Sequence, residues 1–136
     1  MKFKFGRKST KNYESLNSNL QRVAVRALSY GIMDFSLDCT HRNKGEQNRF
    51  YQIGRSKVMW PDSKHNALPA EAMDCVPYVG GKSSWNKLYC CVLAGLILAA
   101  AKEEGVKVRW GGDWGMNGEP ITDQDFNDLA HYEEVK

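Results

Sequence analysis

From Leu88 to Ala101 the chain runs fourteen residues without a charged side chain. A stretch this apolar all round has to be covered. A bilayer-spanning helix needs about 18 to 20 such residues, so the run reads as a central buried helix. It is expected to extend from Trp85 to about Glu104, with Ser83 or Ser84 as its cap and Gly105 as its stop. Everything else in the chain has to wrap around it.

The rest of the sequence has the means to do so. At 136 residues, residues 1–136 read as one domain, large enough to bury a core without staples. An apolar fraction of 42% and a charged fraction of 26% match ordinary globular proteins and exclude disordered or fibrous classes. The net charge of +3 falls short of the basic stripe of a dedicated nucleic-acid binder, so no nucleic-acid partner is expected. Cys39, Cys75, Cys90 and Cys91 form no CxxC pair and are expected as free thiols. The start, Met1 to Lys8, is basic and lacks an apolar core, so no secretory signal is expected. Synthesis in the cytoplasm follows as an expectation, without stable membrane insertion.

Leu20, Val23, Ala24, Ala27 and Leu28 recur at helical spacing between Ser18 as cap and Gly31 as stop, with a short helical turn expected before them from Tyr13 to Leu16. Asp34–Cys39 alternates as a strand, and Lys44–Ile53 reads as a short helix ending at Gly54. Arg55 to Asn66 reads as a loop. Ala72 to Tyr78 is a strand bounded by Pro69 and Gly80-Gly81, Val106–Trp110 another, and Asp128–Glu133 a last short one. Strands and helices without regular βαβ alternation predict an α+β domain, a small mainly antiparallel sheet packed with about three helices.

Within the Ala72–Tyr78 strand, alternation puts Asp74 on one face with Ala72 and Val76, among core residues. A buried carboxylate needs an arginine, several backbone donors or a metal. His65 on the preceding loop and His131 far downstream make a metal one of these answers.

Four blocks, taken in order, resemble a known family: Ser63-Lys64-His65, then Ala72-Met73-Asp74 leading into Val76-Pro77-Tyr78, then Arg109-Trp110-Gly111-Gly112-Asp113-Trp114, and finally Asp128-Leu129-Ala130-His131. Arg42 with Gln47, and Gly54-Arg55-Ser56, fit the same pattern upstream. They resemble the zinc peptidases of the D-alanyl-D-alanine carboxypeptidase and phage endolysin family, with a Hedgehog/DD-peptidase-like fold. The resemblance implies His65, Asp74 and His131 as Zn2+ ligands and Asp128 as the catalytic carboxylate. Two imidazoles and one carboxylate leave a fourth position open, the arrangement of a catalytic zinc. Asp128 would take the proton from water and pass it to the leaving amine. Arg42 would steady the oxyanion or hold a substrate carboxylate. Ser63 and Ser56 either meet a ligand or shape the loop, and Gln47 belongs to the same group of substrate or supporting positions. Asp113 has a supporting role open to it, orienting a ligand histidine. Trp110 and Trp114 read as packing residues and His41 as a loop residue.

One departure stands out. Eight residues separate His65 from Asp74, two more than is common in the family, and Ala70 replaces a usual glycine. The expectation is a peptidoglycan stem-peptide hydrolase of the phage endolysin kind, an L-alanyl-D-glutamate endopeptidase. The nearest alternatives are a D-alanyl-D-alanine carboxypeptidase and a non-catalytic wall-binding module. The resemblance further implies a monomer that acts on the cell wall once a holin-like protein has released it.

Overall fold

Four helices and five strands make up the computed structural model, which describes residues 1–136. In chain order they are α1 (Arg7–Glu14), α2 (Ser18–Ser29), β1 (Asp34–Cys39), α3 (Lys44–Gln52), β2 (Ala72–Val79), β3 (Lys82–Ser83), α4 (Lys87–Glu104), β4 (Val108–Gly111) and β5 (Asp128–Glu134). A single helical turn, Lys64–Asn66, precedes β2. The strands lie in the order β1-β2-β5-β4, with β3 paired to β2, and every pairing is antiparallel. The predicted α+β class is the observed one.

Alternation along the strands gives the sheet two unlike faces. Phe35, Leu37, Met73, Cys75, Trp110 and Tyr132 point to one of them and form the core with α2 and α4. Leu20, Val23, Ala24, Ala27 and Leu28 of α2 meet Leu93, Ala94, Ile97, Ala100 and Ala101 of α4 in that layer. Outside the core, Arg22 and Arg26 of α2 hold Glu104 at the end of α4. Asp74 and His131 occupy the opposite face. Asp74 therefore does share a face with buried Ala72 and Val76, but it is the face turned away from the apolar core.

Several expectations need correction. The N-terminal turn expected at Tyr13–Leu16 is an eight-residue helix, Arg7–Glu14. Tyr13 is its one apolar residue, and it is held by docking: Ser9 Oγ accepts from Leu37 N at 3.1 Å, and Asn12 Nδ2 donates to Leu37 O at 2.8 Å. The helix count is thus four. The α2 cap is Asn17, whose side chain accepts from Leu20 N, with Ser18 the first helical residue. Helix α4 begins at Lys87 and is capped by Asn86, because Lys82 and Ser83 are drawn into a hairpin with β2 through Gly80 and Gly81 at φ 64° and 81°. The strand expected from Val106 begins at Val108.

Helix α4 is also less covered than its composition implies. Cys90, Leu93, Ala94, Ile97, Ala100 and Ala101 are buried, whereas Leu88 is 73% and Val92 50% exposed. A single layer of sheet and α2 covers only one side of it. No helix is long and apolar enough to cross a membrane. All four cysteines are free.

Candidate metal centre

Register brings the site together. Asp74 lies opposite His131 across β2 and β5, and opposite Cys39 across β1 and β2, where a bulge shifts the pairing. His65 arrives from the Lys64–Asn66 turn. That turn is fixed at its start by Ser63, whose hydroxyl accepts from His65 N at 3.1 Å, and by Asn66, whose side chain accepts from Ser63 N. Ser63 thus shapes the loop.

Two histidine nitrogens face one carboxylate oxygen. Asp74 Oδ1 stands 3.2 Å from His65 Nε2 and 3.4 Å from His131 Nδ1. Atoms bound about 2.0–2.1 Å from a zinc ion lie about 3.3–3.4 Å apart along a tetrahedral edge, and each of these two separations is close to such an edge. The rest of each ring is committed elsewhere: His65 Nδ1 meets Thr40 O at 2.6 Å and His131 Nε2 meets Glu133 Oε1 at 2.8 Å. With protons on those two nitrogens, the lone pairs of His65 Nε2 and His131 Nδ1 face Asp74.

Electrostatics point the same way. Burial pulls the His65 imidazole down, but the Asp74 carboxylate outweighs it and lifts the ring to about 10. Burial pulls His131 down too, and hydrogen bonds to Asp74 and Glu133 raise it. Burial pushes Asp74 up, and the two histidines hold it well below the usual carboxylate range. A buried cluster that retains protons this firmly is a place for positive charge, and a metal ion satisfies it as a proton does.

Cys39 Sγ, His65 and Asp74 also lie within 4.8 Å of one another. The thiol, however, accepts from Arg42 Nε at 3.2 Å, and its 4.0 Å approach to His65 is to Nδ1, the nitrogen already bonded to Thr40. His131 lies outside that group of three and adjoins it through Asp74, which its Nδ1 faces at 3.4 Å.

Asp128 begins β5, and Gly111 stands opposite it across β4. A Cβ at Gly111 would run into the Asp128 backbone carbonyl, so the glycine permits the close approach that sets this carboxylate. Burial, with Asp74 nearby, raises the Asp128 carboxyl. Arg42 Nη2 donates to Asp74 Oδ2 at 3.1 Å, and its guanidinium lies 4.6 Å from the Phe50 ring centroid. Gln47, fully buried, receives Arg42 Nη1 and Asn66 Nδ2 on its carbonyl and donates to Ser56 Oγ and Val58 O. Arg42, Asp74 and Asp128 all line a cleft of about 700 Å³. His41 also lines it, its Nδ1 bonded to Ala67 O.

Asp113 is not on a histidine. Its carboxylate accepts from Asn117 N and Gly118 N within its own loop, and Glu133 fills the role considered for it. Trp114 does more than pack: it stacks on Phe126 and lies 5.5 Å from the His131 ring, closing that side of the site. Glu133 carried a sequence signal, since a residue two beyond His131 on a strand shares its face. The Thr40 carbonyl carried none. The lengthened His65–Asp74 connection is pinned by Ala70, whose N–H donates to Ser15 O and whose carbonyl accepts from Asn17 N.

This antiparallel sheet, with a buried His/Asp cluster whose Asp74 opens onto the cleft, defines a small α+β domain with a candidate metal site. The model of the phage L-alanyl-D-glutamate peptidase family matches residues 1–135, and the chain belongs to that family. It is 34% identical over 120 residues to the L-alanyl-D-glutamate peptidase of Escherichia phage T5, covering 88% of this chain and 87% of the relative. Its fold matches the crystal structure of the Serratia marcescens L-Ala D-Glu endopeptidase ChiX with a TM-score of 0.79 and 28% identity, over 98% of this chain and 91% of the other.

Proposed function

We propose that the chain is a zinc-dependent endopeptidase that hydrolyses the L-alanyl–D-glutamate bond of peptidoglycan stem peptides. The observation that carries the metal reading is the approach of His65 Nε2 and His131 Nδ1 to the same Asp74 oxygen, with Thr40 and Glu133 holding the outer ring nitrogens. His65, Asp74 and His131 would hold the ion. When bound, zinc supplies Lewis-acid polarisation of the scissile carbonyl and activation of water.

The chain's own residues do the rest. Asp128 takes a proton from the attacking water and returns it to the departing amine. Its raised carboxyl suits both halves of that task. Arg42, steadied by Asp74 and Phe50, presents its fixed charge to the oxygen that gains negative charge in the transition state. Gln47 and Ser56 hold the wall from which Arg42 acts. The phage origin of the relative supports a lytic setting; within it the chain acts as a monomer that meets the wall after release by a holin-like protein.

Digestion of purified sacculi, with new termini identified by mass spectrometry and metal content measured alongside, tests this reading. New L-alanine carboxyl and D-glutamate amino termini are expected, with stoichiometric zinc. Release of terminal D-alanine alone, or lysis unaffected by chelators, would overturn it.

A further inference from the structure

Two ion pairs lie along the cleft, while Glu46 and Asp128 line it without one. Lys8 Nζ meets Asp38 at 3.4 Å and Arg42 meets Asp74 at 3.1 Å. Arg55 lines the same cleft, is exposed, and takes part in none of the molecule's ion pairs. Its backbone is nonetheless firmly placed. Gly54, at φ 80°, ends α3, and the N–H groups of Arg55 and Ser56 both donate to Phe50 O, at 2.9 and 3.1 Å. Ser56 Oγ is in turn held by buried Gln47 at 2.8 Å. An unpaired guanidinium is thus mounted on a rigid edge, on the wall that also carries Arg42 and Phe50.

This placement has a counterpart in the substrate of the proposed reaction, on which the inference rests. Cutting an L-alanyl–D-glutamate bond leaves glutamate on the amine side. Glutamate has two carboxyl groups, and continuation of the chain uses one of them. The other remains as a free carboxylate a few bonds from the scissile nitrogen. We propose that Arg55 binds this carboxylate and so selects glutamate on the amine side of the cut. A guanidinium fork suits a carboxylate bidentately, and neither Glu46 nor Asp128, the unpaired carboxylates of the same cleft, lies within ion-pair distance of Arg55. Arg55 acts in binding, while proton transfer stays with Asp128.

The test uses two matched wall-type peptides, one with the free D-glutamate carboxylate and one with that group as its carboxamide, cleaved by the wild type, Arg55→Gln and Arg55→Lys. The wild type is expected to prefer the acid by about 10- to 100-fold in kcat/KM, mainly through KM, the range of a charge-assisted hydrogen bond. Arg55→Gln is expected to lose that preference while cutting the amide as the wild type does, and Arg55→Lys to recover part of it. A preference that survives in Arg55→Gln, or an equal loss on both peptides, overturns the proposal and leaves the assignment of the bond intact. Failure of the wild type to cut either peptide overturns the assignment of the bond itself, and this inference with it.

Discussion

Glu133 Oε1 accepts from His131 Nε2 at 2.8 Å, two residues along the same strand and on the same face, while Arg109 Nη2 holds the other carboxylate oxygen at 2.8 Å. The imidazole is therefore oriented by a carboxylate that is itself anchored. Burial pushes Glu133 up, but His131 and Arg109 together hold it at about 2. It stays ionised and keeps the His131 proton on the outer nitrogen. Glu133→Ala is expected to weaken metal affinity about 10- to 100-fold, with Glu133→Gln losing less. Competition against a chelator of known affinity checks this, and unchanged affinity would reduce Glu133 to a packing role.

Asp128→Asn separates chemistry from metal binding. The carboxamide keeps the shape at the start of β5 but accepts no proton. Metal content is expected to stay at the wild-type level while kcat falls about 100- to 10,000-fold, the usual span for a general acid–base. Loss of the metal together with the activity would show that Asp128 serves the ion instead.

The same carboxylate gives a pH signature with a definite sign. Burial and Asp74 raise its pKa in the folded chain. A proton acceptor must be ionised, so activity should rise with pH as Asp128 ionises, and a cation held on Asp74 draws that rise below the metal-free value. For stability the sign reverses. A raised folded pKa contributes stability that is fully present below about 3.9 and is lost as pH rises through the folded value. In the metal-free protein, Asp128→Asn is therefore expected to melt higher than wild type at neutral pH and to lose that advantage in acid. Thermal melts at two pH values decide it.

Gly111→Ala tests how the carboxylate is placed. The new Cβ meets the Asp128 backbone carbonyl, and backbone cannot swing away as a flexible side chain does. The substitution is expected to cost about 1–3 kcal/mol in urea unfolding and to reduce kcat. Gly95→Ala on α4, where a Cβ meets nothing within 4 Å, is the control expected to do neither.

Removal of the metal should be visible without any substrate. The cluster of His65, Asp74 and His131 is formed only in the folded chain, so an ion present at about 100 times its dissociation constant adds about 2.7 kcal/mol to stability. Chelation is expected to lower Tm, with restoration on adding zinc. His65→Ala should melt at one temperature with or without chelator.

The amino-acid order determined a good deal by itself. Short-range periodicity located α2, α3 and most strands, because an apolar stripe or an alternation is a local property of consecutive side chains. The resemblance of separated blocks implied His65, Asp74, His131 and Asp128, and the segment upstream of them implied Arg42; the fold lines one cleft with Arg42, Asp74 and Asp128 and sets both histidines against Asp74.

What the order did not contain came from contacts between distant segments. Helix α1 owes its place to Ser9 and Asn12 bonding to Leu37, so nothing within Arg7–Glu14 announces it. The exposed side of α4 depends on how many layers cover it, which a run of apolar residues does not state. Glu133 was legible as a strand neighbour of His131, whereas for Asp113 only the path of its loop, whose Asn117 and Gly118 N–H groups take its carboxylate, decided that it meets no histidine, because hydrogen bonding acts over about 3 Å, a distance that chain separation does not encode.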